Sequence, residues 1–139
     1  MYICCFKFNE YPMNDRRHNI KRLLFRHLKR ELAFWSYDPK SVTLARMSDN
    51  LLIEKVLYHL DCDDVVRLFN IYPKTQIKNV WKNNLCPLGK YFDRMNYFYA
   101  VVFFDIKNPQ RYIKNQSNRY IKNKINAGQQ IITPSKSHI

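Results

Sequence analysis

SDNLLIEKVLYHLDCDDVVRLFNIYPKTQIKNVW, residues 48–81, decides how the rest of the chain is read. Leu51, Leu52, Val56, Leu57 and Leu60 recur at the period of a helix with one apolar face. Ser48 or Asp49 offers a side-chain oxygen to the free backbone N–H groups at the start of that helix. Asp61-Cys62-Asp63-Asp64 breaks it and caps a second helix, in which Val65, Val66, Leu68 and Phe69 continue the apolar pattern as far as Pro73. Thr75 is placed to cap a third, with Ile77, Val80 and Trp81 facing inward.

The flanks extend the helical reading. Tyr2–Phe8 reads as an arm or a short strand. Asn14 or Asp15 then caps a helix running from Arg16 to about Trp35. Ile20, Leu24, Leu28 and Trp35 mark its apolar face, which Leu23 and Leu32 widen. Asp38-Pro39 is the expected stop, because a residue before proline is pushed out of the α region. Ser41–Met47 follows as a connector, read as extended. On the other side, Cys86-Pro87-Leu88-Gly89 is a turn. Tyr91–Ile106 has the aromatic and β-branched density of a strand and the length of a buried helix. Helix is the expectation, since there is little other strand to pair with. Asn108-Pro109 is a helix start, because proline in the first turn loses no hydrogen bond. RYIKNQSN (111–118) and RYIKNKIN (119–126) are near-repeats of eight, roughly two helical turns, so Tyr112, Ile113, Tyr120 and Ile121 are expected on one face. Beyond Ala127-Gly128 the tail is polar and expected to fray.

The expected fold is mainly α: a small single-domain bundle of about five helices, with a possible short N-terminal strand. Its segments are an arm (1–13), a basic amphipathic helix and connector (14–47), a three-helix segment (48–84), aromatic-rich and basic helices (85–127) and a flexible tail (128–139). A hydrophobic fraction of 46% is enough for a core and unlike that of a disordered chain. Two glycines leave little room for tight hairpins or phosphate-cradling loops, which also favours helices.

The net charge is +13 and unevenly spread. Residues 1–47 carry about +6, residues 48–72 about −3 and residues 73–139 about +10. The basic flanks are suited to polyanions: nucleic acid, an anionic membrane face or an acidic protein. The candidate contacts are Arg16, Arg17, Lys21, Arg22, Arg26, Lys29 and Arg30 in the first helix and Arg111, Lys114, Arg119 and Lys122 in the last. Phe25, Phe34, Tyr112 and Tyr120 lie among them as possible stacking partners. A solvated charged face would look the same from the sequence.

The adjacent Cys4 and Cys5, with Cys62 and Cys86, lack a preceding export signal, so a reducing compartment, cytoplasmic or nuclear, is expected. The longest apolar run, Tyr97–Phe104, is too short to span a bilayer. His59, Cys62 and Cys86 fall short of the four ligands of a structural zinc site. Asp61, Asp63 and Asp64 lack the glycine and glutamate of a calcium loop, and capping accounts for them better. No metal or cofactor is expected. No nucleophile–base pair or framed carboxylate pair stands out, so an enzyme is not expected. An excess of Asn, Lys, Ile and Tyr, residues of AT-rich codons, fits an AT-rich virus or microbe.

Residues 48–81 resemble an F-box, the three-helix module that docks onto the Skp-type adaptor of a cullin–RING ubiquitin ligase. The resemblance rests on Leu51-Leu52, Val56-Leu57, Leu60-Asp61 and Asp64-Val65-Val66-Arg67-Leu68, with Ile71 on the next turn. Ser48-Asp49 stand where the family has Leu-Pro, and Thr75 stands near its usual tryptophan. The resemblance implies a partner-binding surface of Leu51, Leu52, Val56, Leu57, Leu60, Val65, Val66, Leu68 and Ile71. The expected function is therefore an F-box-like interaction protein that brings a partner to a ligase adaptor. The alternative is a basic structural or nucleic-acid-associated protein, such as a virion component. The same aliphatics equally suit a helical hairpin closed on its own core.

Overall fold

The computed structural model describes residues 13–132. The expected N-terminal strand, Cys4 and Cys5 lie outside the described residues. The fold is mainly α, with six α-helices among the described residues: α1 (Met13–Arg30), α2 (Asp49–His59), α3 (Cys62–Ile71), α4 (Lys74–Val80), α5 (Asp93–Val102) and α6 (Pro109–Ile132). A π-helical turn (Trp81–Leu85) and a 3-10 helix (Cys86–Tyr91) join α4 to α5. No strand occurs among the described residues. The chain divides between Ile77 and Lys78 into two compact units.

In the first unit α1, α2 and α3 pack pairwise. Leu24 and Leu28 of α1, Leu52, Ile53, Val56 and Leu57 of α2, and Val65 and Leu68 of α3 are all buried. Two caps fall where the sequence places them, whereas Thr75 lies inside α4, which begins at Lys74, and Asn14 and Asp15 lie inside α1, which begins at Met13. Ser48 Oγ accepts from the Leu51 N–H at 3.2 Å, and Asp61 Oδ1 accepts from the Asp64 N–H at 3.2 Å.

The first helix is shorter than its apolar pattern. It ends at Arg30, well before the expected stop at Asp38-Pro39. The Ala33 N–H donates to the Leu28 carbonyl at 3.1 Å and the Leu32 N–H to that of Lys29 at 3.2 Å. These are the paired bonds of a Schellman cap, which needs a left-handed residue at the first position past the helix. Leu32 takes that position, at φ 55°. Buried Ala33 and Leu28 supply the apolar contact that accompanies such a cap. Leu32 and Trp35 are therefore not part of the apolar face: they are 69% and 84% exposed. The connector after them is folded into turns rather than extended, with the Met47 N–H donating to the Thr43 carbonyl at 3.0 Å.

In the second unit the ambiguous aromatic stretch is helical, with Tyr99 and Ala100 of α5 fully buried. Trp81 is the centre of this unit. It is 0% exposed and stacks on Phe104 (4.8 Å between centroids) and Tyr112 (5.8 Å). Its indole N–H donates to Asn96 Oδ1 at 3.0 Å, and Asn96 Nδ2 donates to the Leu85 carbonyl at 2.9 Å. The widened π turn breaks the regular ladder, and this buried amide takes up one of its carbonyls. Gly89 sits at φ 75°, ψ −153°, a region open to glycine and costly for other residues. Asn108 caps α6: its Oδ1 accepts from the Arg111 N–H at 3.3 Å, with Pro109 in the first turn.

α6 departs from expectation twice. It continues through Gly128 to Ile132, into the stretch expected to fray. Its two repeats also do not share a face. Eight residues overshoot two turns by about 80° at roughly 100° per residue, so the second copy is rotated around the axis. Ile113 is accordingly buried and Tyr112 half-buried, whereas Tyr120 and Ile121 are exposed.

The thiols differ in the same way. Cys86 is fully buried, and burial pushes its thiol up to about 12, with Lys82 opposing. Cys62 is exposed. Brief treatment of the folded protein with iodoacetamide, read by peptide mass mapping, is expected to label Cys62 and spare Cys86 until denaturant is added. Equal labelling of both in the native state would contradict this packing.

Candidate polyanion-binding surface

α1 buries Leu24 and Leu28 and turns the opposite side to solvent. Arg22, Arg26 and Arg30 recur every four residues there, with Lys29 beside them, and all four are exposed. Asp15 is the one acid on this helix. The stripe is narrower than the sequence implied, because other α1 cations are engaged. Lys21 is half-buried, and its Nζ donates to Asp49 Oδ1 at 2.8 Å. The Tyr72 hydroxyl donates to the same oxygen at 2.5 Å. Arg17 and Lys21 lie over the Tyr72 ring at 5.1 and 5.5 Å. Lys21 followed by Tyr72 holds the Asp49 carboxyl below its ordinary range. Burial, then Asp49, raises the Tyr72 hydroxyl far above its own. Lys21 thus joins α1 to α2 rather than waiting for a ligand. Arg16 is half-buried and already engaged. Phe25 and Phe34 form a tilted pair with centroids 5.7 Å apart, and Lys29 lies over Phe25 at 4.7 Å, so neither ring is simply waiting for a base.

A second network was not visible in the sequence. Asp64 was read as a capping residue, yet its side chain is only 6% exposed. Its carboxylate faces His27 Nδ1 at 2.9 and 3.0 Å and accepts from Arg67 Nη1 at 2.7 Å. This ties α3 to α1. Only Asp61 of the acidic turn caps through its side chain. A 290 Å³ pocket opens beside the network. Arg30, Arg67 and His59 line it, but so do Glu31, Asp61, Asp63 and Asp64, so it favours no ion of either sign. His59 is held below its ordinary range by burial and by Lys55. Among the described residues no cluster of three or more His, Cys, Asp or Glu could hold a metal.

α6 is the second cationic element. Arg111, Lys114, Arg119 and Lys122 are all exposed, as expected, and Lys124 joins them. The helix contains no acid. From Asn118 to Ala127 every residue is exposed. Sequence reading missed this isolation, because the repeats predicted a packed face.

The aliphatics proposed for adaptor docking need correction. Leu52, Val56, Leu57, Leu60, Val65 and Leu68 are each at most 9% exposed. They are core, for the physical reason already open in the sequence: a helical hairpin that meets a third amphipathic helix closes over its own apolar face. Of the nine, Leu51 and Ile71 are half-buried, and Val66 alone is well exposed, at 51%.

No protein-family model, curated protein or solved structure matches the chain. Among the described residues no helix is long and apolar enough to cross a membrane.

Proposed function

We propose that this chain is a nucleic-acid-binding protein that grips phosphate backbones through α1 and α6. The observation that carries the reading is the pair of exposed cationic faces on these helices, one with a single acid and the other with none. Lysine and arginine at phosphates release condensed counterions, so binding of this kind is strong at low salt and indifferent to sequence. Affinity for a labelled duplex, titrated at several salt concentrations, is expected to fall linearly on log–log axes. Each phosphate neutralised steepens the slope by about 0.9. Replacing Arg22 and Arg26 together with alanine is expected to flatten it by about 2. Feeble binding at low salt, or an unchanged slope in the double variant, would remove the proposal.

A second reading retains the F-box resemblance: docking of a Skp-type adaptor. What supports it is the exposure of Val66, with Leu51 and Ile71 half-buried. Three partly available aliphatics make a smaller anchor than the nine the sequence suggested, so this reading ranks below the first.

A further inference from the structure

We infer that α6 reads base edges in the major groove of duplex DNA. The inference rests on the nucleic-acid reading and adds the substrate class and the element that recognises it. Asn115, Arg119, Lys122, Asn126 and Gln129 are spaced four, three, four and three apart, and all are exposed. At roughly 100° per residue they fall within about 80° of arc, a straight stripe along one side of the helix. Their chemistry is that of major-groove recognition. Asn and Gln pair two-fold with adenine N6 and N7, and Arg with guanine O6 and N7. Lys serves guanine or a neighbouring phosphate.

Two physical arguments separate this stripe from an ordinary solvated face. Asparagine is a poor helix former, because its side chain competes for backbone groups. An exposed helix with no task is better built from Glu, Lys, Gln and Ala. α6 instead carries Asn115, Asn118, Asn123 and Asn126, and no acid at all. The second argument is room. Residues 118–127, exposed throughout, make a rod of about 15 Å at 1.5 Å per residue. A helix about 10–12 Å across fits the roughly 12 Å major groove of B-form DNA. The deep, narrow major groove of duplex RNA excludes it.

The test is selection of bound sequences from a randomised DNA duplex library with the full chain at moderate salt, followed by titration of the enriched duplex. Enrichment of a short motif rich in adenine and guanine is expected, with weaker binding to duplex RNA of the same sequence. Replacing Asn115 and Asn126 with alanine is expected to reduce discrimination roughly 5- to 150-fold per lost pair while leaving the salt slope unchanged. Alanine is the better helix former, so this variant keeps the helix. Replacing Arg22 and Arg26 with alanine is expected to lower affinity for all sequences alike and keep the motif. Salt-sensitive binding without any enrichment would overturn the inference and leave the nucleic-acid reading standing. Preference for duplex RNA would overturn it too. So would binding to phosphatidylserine vesicles that Ile121→Glu abolishes, because α6 would then be using its other flank.

Discussion

Leu57→Asp is expected to unfold the first unit. Leu57 is 1% exposed in the core where α1, α2 and α3 meet. Truncating a leucine at such a site costs about 2–5 kcal/mol through lost transfer and the cavity left behind. A carboxylate forced into this apolar core adds several kcal/mol more for the loss of its hydration. That total rivals the whole stability of a small domain, about 5–15 kcal/mol. Far-UV circular dichroism is expected to lose much of its helical signal at room temperature. Val66→Asp, at 51% exposure on α3, is expected to change stability by no more than about 0.5 kcal/mol. The pair matters for function. Loss of adaptor capture by the Leu57 variant reports unfolding alone, whereas Val66→Asp leaves the core intact and reads docking. Capture of a Skp-type adaptor by wild type and not by Val66→Asp would support the second reading. A wild type that retrieves none would end it, and a folded Leu57→Asp would contradict the packing of α1 on α2.

The elements were legible where a local rule acts on its own. Ser48, Asp61 and Asn108 cap helices because an acceptor oxygen stands just before an apolar period, which a sequence displays directly. The end of α1 was hidden because its cap uses leucine in a left-handed conformation, where the usual signal is glycine. The candidate site was half legible for a different reason. Cationic residues can be counted in sequence, but whether they are spent internally depends on partners far along the chain. Lys21 meets Asp49 and His27 meets Asp64 across separations that no periodicity encodes. Burial direction was equally undetermined. Val56 and Leu57 obey the same spacing whether a neighbouring helix of this chain or a second protein covers them. Only the position of α1 decides that, and it places them inside.

Trp81→Ala is the variant expected to cost the second unit most. The side chain is fully buried between Phe104 and Tyr112, so truncation removes two ring contacts and opens a cavity in the core of this unit. A loss of about 3–5 kcal/mol is expected in denaturant unfolding. Asn96→Ala acts on the same network by another route. It leaves the indole N–H and the Leu85 carbonyl without the amide that joins them, at about 1–3 kcal/mol for each buried group left unmade. Because each change already breaks the Trp81–Asn96 bond, the double variant is expected to cost less than the sum of the singles. Fluorescence gives an independent check, since Trp35 is 84% exposed and Trp81 is shielded. Removing Trp81 is expected to leave only the red-shifted emission of a solvated indole, while Trp35→Phe is expected to leave the blue-shifted component with little change in stability. A Trp81→Ala protein within about 1 kcal/mol of wild type would mean that the π turn is not anchored through this residue, since cavity and lost bond together exceed that value.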